Sequence, residues 1–251
     1  MKRSKELKTM ARMQLAGKYS TYIGAYALFF MISGTVASLL GFFLMSGSLS
    51  SSDGLPFTSI PQLILYFVIE LIVSLILSIF SLGFNKMFLD GSRGYRVRFE
   101  DLFYGFRHHP DRVILLQFLL LLISMACMAP GYILVLCAMN MELPTPVLIL
   151  SIILLIAGII LLVYFALIFS QSTFLIADYD DLSAIQALKE SRKLMHGKKG
   201  TYFYLQLSFL GILFLCIFTC YIGFLWAIPY IMMTQTNFYR NIIIILTLIY
   251  D

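Results

Sequence analysis

Charge is what this sequence has least of. Lysine, arginine, aspartate and glutamate together make up 12% of 251 residues, about half the share of a soluble domain, and that shortage excludes an ordinary water-facing surface. Cysteine is also scarce: Cys127, Cys137, Cys216 and Cys220 all lie inside apolar runs and make no disulfide framework. The i, i+4 spacing of the last two suits small residues packed between helices. Several chemical signatures are missing, with no Walker loop, no G-x-S-x-G elbow and no H-E-x-x-H. An enzyme is therefore the weakest class left open, and no cofactor is expected. The basic N-terminus leads into a run too long for a signal core, without a small-residue cleavage site, so the first span is expected in the mature protein.

What the chain has instead is apolar length. Hydrophobic residues make up 60% of it, the mean hydropathy is +0.90, and the apolar residues fall in blocks of about 20, enough to cross a bilayer core. Six spans are expected, roughly Thr21–Met45, Ile60–Phe84, Asp111–Met139, Pro146–Ser170, Thr201–Cys220 and Tyr221–Tyr239. Pro229 interrupts the last of them. Such continuous blocks do not alternate as barrel strands do, and backbone groups in hydrocarbon must be satisfied within helices or a closed barrel. The fold class is an all-α polytopic membrane protein, a single membrane domain over residues 1–251.

The 18 basic residues all fall in alternate loops. They occupy the N-terminal segment, the loop between spans two and three, the loop between spans four and five, and Arg240 after span six. The intervening loops have none. By the positive-inside rule both termini are cytoplasmic, with Ser50 and Glu142 outside. The net charge of +5 then describes one face, suited to anionic lipid headgroups, and no nucleic-acid-binding region is expected.

Aligning Gly17 with Gly197 superposes GKYSTY on GKKGTY, and HHPDRVILLQF from His108 lies near half that offset, with Gln117 matching Gln206. Three units follow, approximately 1–92, 93–181 and 182–251, each a short cytoplasmic interfacial amphipathic helix, a break and a helical hairpin. The expected apolar faces are Leu7, Met10, Ala11 and Leu15; Phe99, Leu102, Phe103 and Phe106; and Leu182, Ile185, Leu188 and Met195. Gly17, Pro110 and Gly197 supply the breaks. Cations at those elbows, Lys18, Arg107, Arg112, Lys198 and Lys199, are ordinary interfacial anchors on one reading and a headgroup-binding set on the other. Three units of one orientation predict a ring of hairpins related by rotation about an axis near the membrane normal.

The run ALKESRKLMHGKKGTYFYLQLSFLG, followed by GFLWAIPY and NFYR, resembles the C-terminal half of the bacterial membrane proteins catalogued as domain of unknown function 975. That family is more remotely similar to the membrane region attached to some glycerophosphodiester phosphodiesterases. The resemblance implies a bacterial cytoplasmic-membrane protein and transfers no catalytic residue. The apolar tail NIIIILTLIYD departs from the polar ending usual there and is too short for another span.

Candidate chemistry is thin. Asp178, Asp180 and Asp181 could hold magnesium against a phosphate, but Asp181 is better placed to cap the following helix. His108, His109 and His196 stand at two elbows without ligand-spaced partners. Glu70 lies near mid-span, where an ionisable group is by default a functional candidate. It is expected to face the bundle interior, protonated and hydrogen-bonded to Tyr26, Gln117 or Gln206. Two function classes therefore remain. The first is a non-enzymatic protein that organises or protects the membrane by binding anionic lipids or a membrane-protein partner; the second is a transporter or permease for a small or lipid-like solute, using a polar site near Glu70.

Overall fold

The computed structural model describes residues 3–49, 60–140, 144–219 and 221–250, and every regular element among them is helical. In chain order these are α1 (Ser4–Leu15), α2 (Tyr19–Leu49), α3 (Ile60–Ser92), a 3₁₀ turn over Phe99–Phe103, α4 (Tyr104–Arg107), α5 (Pro110–Asn140), α6 (Thr145–Phe169) and α7 (Ser172–Asp178). They are followed by α8 (Ala184–Leu194), α9 (Lys199–Leu207), α10 (Leu210–Phe218) and α11 (Phe224–Tyr250). Ser50, Glu142 and Cys220 lie outside the described residues.

Five stretches are long and apolar enough to cross a membrane: Tyr19–Leu39, Val68–Ser92, Pro110–Val135, Thr145–Asp178 and Lys199–Phe218. The protein is thus a multi-pass, membrane-type helical chain. α11, expected as a sixth span ending at Tyr239, is not in that set. It runs as one helix through Pro229 and Arg240 to Tyr250, so the apolar tail is its continuation. Its centre is polar, with Thr234, Thr236 and Asn237 buried among other helices.

At all three elbows one residue adopts the left-handed conformation. Gly17 (φ 75°) and Gly197 (φ 70°) do so as expected for residues without a Cβ. In the middle copy the turning residue is His109 (φ 48°) and Pro110 is the first residue of α5, where its missing amide hydrogen costs nothing. The break assigned to Pro110 therefore belongs to its neighbour.

The short segments before the elbows also differ from expectation in detail. α1 buries Leu7, Ala11 and Leu15 and packs against α11. In the middle copy Leu102 and Gly105 are the buried residues, while Phe99, Phe103 and Phe106 stay partly exposed; Phe103 and Phe106 lie edge-on to Phe80 at 5.6 and 4.8 Å. α8 turns Ala184, Ala187, Ser191 and Leu194 inward and leaves Ile185 exposed. Its inner face is small because it packs closely on α7. Asp181 does not cap it: Ser183 does, accepting from the Gln186 amide at 3.3 Å while Gln186 Oε1 accepts from the Ser183 amide at 3.0 Å.

The core lies at the basic end, where α3 and α7 finish and α2, α5 and α9 begin. Tyr22 stacks on Phe88 with centroids 4.6 Å apart, Tyr202 meets Phe238 at 4.9 Å, and Phe174 stacks on Tyr239 at 5.4 Å. Such pairs add about 0.5–1.5 kcal/mol each beyond area burial. Elsewhere close contact depends on small residues. A Cβ on Gly158 of α6 would stand 2.5 Å from the Cys127 carbonyl oxygen of α5, and one on Gly131 would stand 2.8 Å from Leu155. The α5–α6 pair thus meets backbone to backbone.

Candidate functional site

Polar side chains cluster where α1, α3, α7 and α11 meet. α3 brings Ser92 and, just beyond it, Arg93; α7 ends on Asp178; α11 supplies Asn237, Tyr239 and Arg240. Arg93 Nη2 lies 2.6 Å from Asp178 Oδ1, and the Tyr239 hydroxyl donates to Asp178 Oδ2 at 3.1 Å. The Asp178 side chain is only 7% exposed, so this ion pair is shielded as surface pairs are not. Burial works to lower the Arg93 pKa, but the bond to Asp178 and the charges of Asp178 and Asp90 outweigh it and the net direction is upward. Arg93 therefore stays charged.

A second chain of bonds runs beside the first. The Arg240 guanidinium and Gln14 Nε2 both donate to the Ser92 carbonyl oxygen, the latter at 3.1 Å, and Asn237 Nδ2 donates to Gln14 Oε1 at 2.7 Å. The end of α3 is thereby tied to α1 and α11. At the rim the Tyr104 hydroxyl donates to Asp180 at 2.8 Å; burial, then this bond to Asp180, raises the Tyr104 pKa. Among the described residues no group of three His, Cys, Asp and Glu side chains could hold a metal. What this arrangement can do is fix three helix ends in one geometry.

The four intramembrane candidates are not gathered into one site. Glu70 is exposed on α3 rather than facing the interior; among the described residues of α3 the buried ones begin at Ser78. No hydrogen bond among the described residues joins it to Tyr26, Gln117 or Gln206. Tyr26 packs against Phe84 at 6.1 Å, Gln117 is half-buried on α5, and Gln206 accepts from Gln235 Nε2 at 3.2 Å. Of the elbow cations, Lys18 and Arg107 are exposed and Arg112, Lys198 and Lys199 half-buried. Lys199 Nζ reaches the Tyr164 hydroxyl at 3.1 Å and sits 4.4 Å from that ring, and burial lowers the Lys198 pKa. Of the three aspartates considered for magnesium, Asp178 is held by Arg93 and Tyr239 and Asp180 by Tyr104.

Of this cluster the sequence pointed to Asp178 and Arg240 but not to Gln14, Ser92, Asn237 or Tyr239. A related pattern is present nearby: an amide stands three residues before a phenylalanine in Asn85-x-x-Phe88, Gln171-x-x-Phe174 and Gln235-x-x-Phe238. Asn85 and Gln171 are buried, as are all three phenylalanines. One turn separates amide from ring, so both lie on one face of the helix.

Residues 1–244 match the family described as Protein of unknown function (DUF975). No curated protein and no solved structure matches the chain.

Proposed function

The chain belongs to the DUF975 family of proteins of unknown function, and from that premise we propose that it is a non-enzymatic membrane protein. In this reading it organises or protects a bacterial cytoplasmic membrane by binding anionic lipid headgroups at its basic end, alone or with a membrane-protein partner. It is one membrane domain of three units, approximately 1–92, 93–181 and 182–251. α11 makes the sixth crossing, both termini are cytoplasmic, and the segments before the elbows lie at the interface. Three left-handed elbows in the same order support the threefold plan. The sixth crossing is supported by the burial of Thr234, Thr236 and Asn237 against protein, which spares them contact with hydrocarbon.

One observation carries the lipid reading. Among the described residues the elbow cations Lys18, Arg107, Arg112, Lys198 and Lys199 have no carboxylate partner, and at the whole basic end only Lys86, Arg93 and Lys193 have one. Unpaired cations beside spans attract anionic headgroups at about 1 kcal/mol each. Native mass spectrometry of the detergent-released protein tests this. Retained anionic phospholipid, reduced when Lys18, Arg107 and Arg112 are all changed to Gln, is the expected result; a retained soluble solute with no lipid would favour a transporter instead. The orientation has its own test. A cysteine at position 193 should resist an impermeant thiol reagent in intact cells, and its labelling would reverse the topology.

A further inference from the structure

α1 carries two cations on one face, Lys8 and Arg12, one turn apart, and both point at the hairpin formed by α9, α10 and α11. Lys8 Nζ donates to the Ser208 carbonyl oxygen at 3.2 Å and lies 4.4 Å from the centre of the Phe209 ring, in the interruption between α9 and α10. The Arg12 guanidinium stands 5.5 Å from the centre of the Tyr230 ring. Ser208 is nine residues beyond Lys199, or about 13 Å along a helix. Lys8 therefore meets the hairpin well past Lys199, while Arg12 stays beside Tyr19, the neighbour of elbow residue Lys18.

Among the described residues no carboxylate pairs with either Lys8 or Arg12. α2, α9, α10 and α11 contain no aspartate or glutamate at all, and Glu6, the acidic residue of α1, turns back to the Arg3 amide at 3.4 Å. Like charges at i, i+4 destabilise a helix. Burial, and then the neighbouring Arg12, pull the Lys8 pKa down. Arg12 opens onto a groove of about 430 Å³ walled by Tyr19, Ile212, Cys216, Trp226 and Tyr230. Its size suits a headgroup rather than a whole lipid. Trp226 is about half exposed at the outer part of this wall.

We propose that this groove binds one anionic membrane phospholipid, its phosphate on Arg12 with Lys8 adding charge, and its acyl chain running out past Ile212 and Trp226. Guanidinium suits phosphate because its planar fork can give two parallel hydrogen bonds while its face rests on an aromatic ring. The i, i+4 repulsion is relieved when a phosphate lies against the pair. The site rests on the lipid-binding reading above but adds a single stoichiometric position, distinct from the diffuse attraction of the elbow cations.

Trp226 is the sole tryptophan of the chain, so quenching reads lipid contact at this wall of the groove, and the difference between the two lipids reads the site. The full-length protein in neutral-detergent mixed micelles is titrated with dibrominated phosphatidylglycerol or dibrominated phosphatidylcholine, whose bromines quench tryptophan on contact. Half-maximal quenching is expected at a mole fraction of phosphatidylglycerol at least fivefold lower than of phosphatidylcholine. Arg12→Gln should erase most of that preference, Arg12→Lys should keep part of it, and Lys189→Gln should leave it unchanged. If Arg12→Gln retains the full preference, the groove is not the site, even where mass spectrometry still finds bound anionic lipid. Relief of quenching by millimolar inorganic phosphate would make the ligand a soluble anion and also overturn the proposal. Should Arg12→Gln not yield folded protein, Lys8→Gln is read in the same way, with at least a twofold loss of preference expected and no change counting against the site.

Discussion

From Ser78 to Ser92 α3 is buried or half-buried at every position, whereas from Val68 to Ile76 the same helix leaves Val68, Ile72 and Ile76 about half exposed. α2 shows the same division in reverse chain order: Tyr22 and Ala25 are enclosed, then Phe30, Met31, Leu39 and Phe42 stand open. Apolarity does not predict the burial: the enclosed stretch of α3 carries Asn85, Lys86 and Asp90, while the only charged residue of the open one is Glu70. The two regions differ in what they touch. A lipid-facing stretch needs only to be apolar and helical, while the basic end must fit side chain to side chain.

Glycines test that contrast with the largest expected effect. A Cβ at Gly83 would stand 2.0 Å from the Leu102 carbonyl oxygen, while at Gly34 and Gly41 nothing lies within 4 Å. Gly83→Ala should lower stability by about 3 kcal/mol, because backbone must yield to backbone. Gly34→Ala and Gly41→Ala should be neutral or stabilise by up to about 1 kcal/mol through helix propensity. Thermal unfolding in detergent, followed by size exclusion, reads all three. Equal losses at Gly34 and Gly83 would mean that the open stretch of α2 is also packed in solution.

Ion pairs separate the shielded interior of the basic end from its rim. Asp178→Ala leaves Arg93 and the Tyr239 hydroxyl without their acceptor in a largely buried position, and a cost of about 2–3 kcal/mol is expected. Removing the Glu190 partner of Lys193, where the side chains are 42% and 72% exposed, should cost under about 0.5 kcal/mol. Urea unfolding of Asp178→Ala, Arg93→Gln and the double variant completes a cycle, and a coupling near zero would remove this pair from the forces holding α3 to α7.

A third, smaller effect is expected at Ser191. Its hydroxyl is fully enclosed, donates to the Ile168 carbonyl oxygen at 2.7 Å and accepts from the Gln171 amide at 3.3 Å. Ser191→Ala should cost about 1–2 kcal/mol, and Ser183→Ala, at the exposed cap of the same helix, about 1 kcal/mol. A larger loss from Ser183 than from Ser191 would mean that α8 is held by its own end and not by the turn that joins α6 to α7.

How far each region could be read beforehand follows from the same difference. The five apolar stretches and the elbows at Gly17 and Gly197 were legible, because a run of about 20 apolar residues and a glycine between a basic helix and a span each have one physical meaning. The basic end was not. Asn85, Gln171 and Gln235 are ordinary polar letters in apolar surroundings, and only the partner helices show that two are buried and that the third pairs with Gln206. Arg240 looked like the end of a span because a charge usually is one. Its bond to the Ser92 carbonyl oxygen lets α11 continue. Asp181 looked like a cap because it is acidic and close, yet Ser183 with Gln186 makes the reciprocal pair that a capping box requires.

Glu70 gives the smallest predicted effect and the sharpest test of the open region. A carboxylate near mid-span was expected inside the bundle because a charge in hydrocarbon costs at least about 3 kcal/mol on insertion scales. It stands instead on the exposed side of α3, among the half-exposed Val68 and Ile72. Among the described residues no hydrogen bond or ion pair depends on its side chain. Glu70→Gln and Glu70→Leu should both leave the thermal midpoint in detergent within the equivalent of about 0.5 kcal/mol, as surface substitutions do. Glu70→Leu should also insert at least as well as the parent in a membrane-integration assay, since it removes the penalty altogether. A fall of more than about 1 kcal/mol for Glu70→Leu but not Glu70→Gln would show that the carboxyl accepts or donates a bond that the amide can replace. No described residue supplies such a bond, and a partner protein on the exposed stretch of α3, rather than lipid, would be the reading to test next.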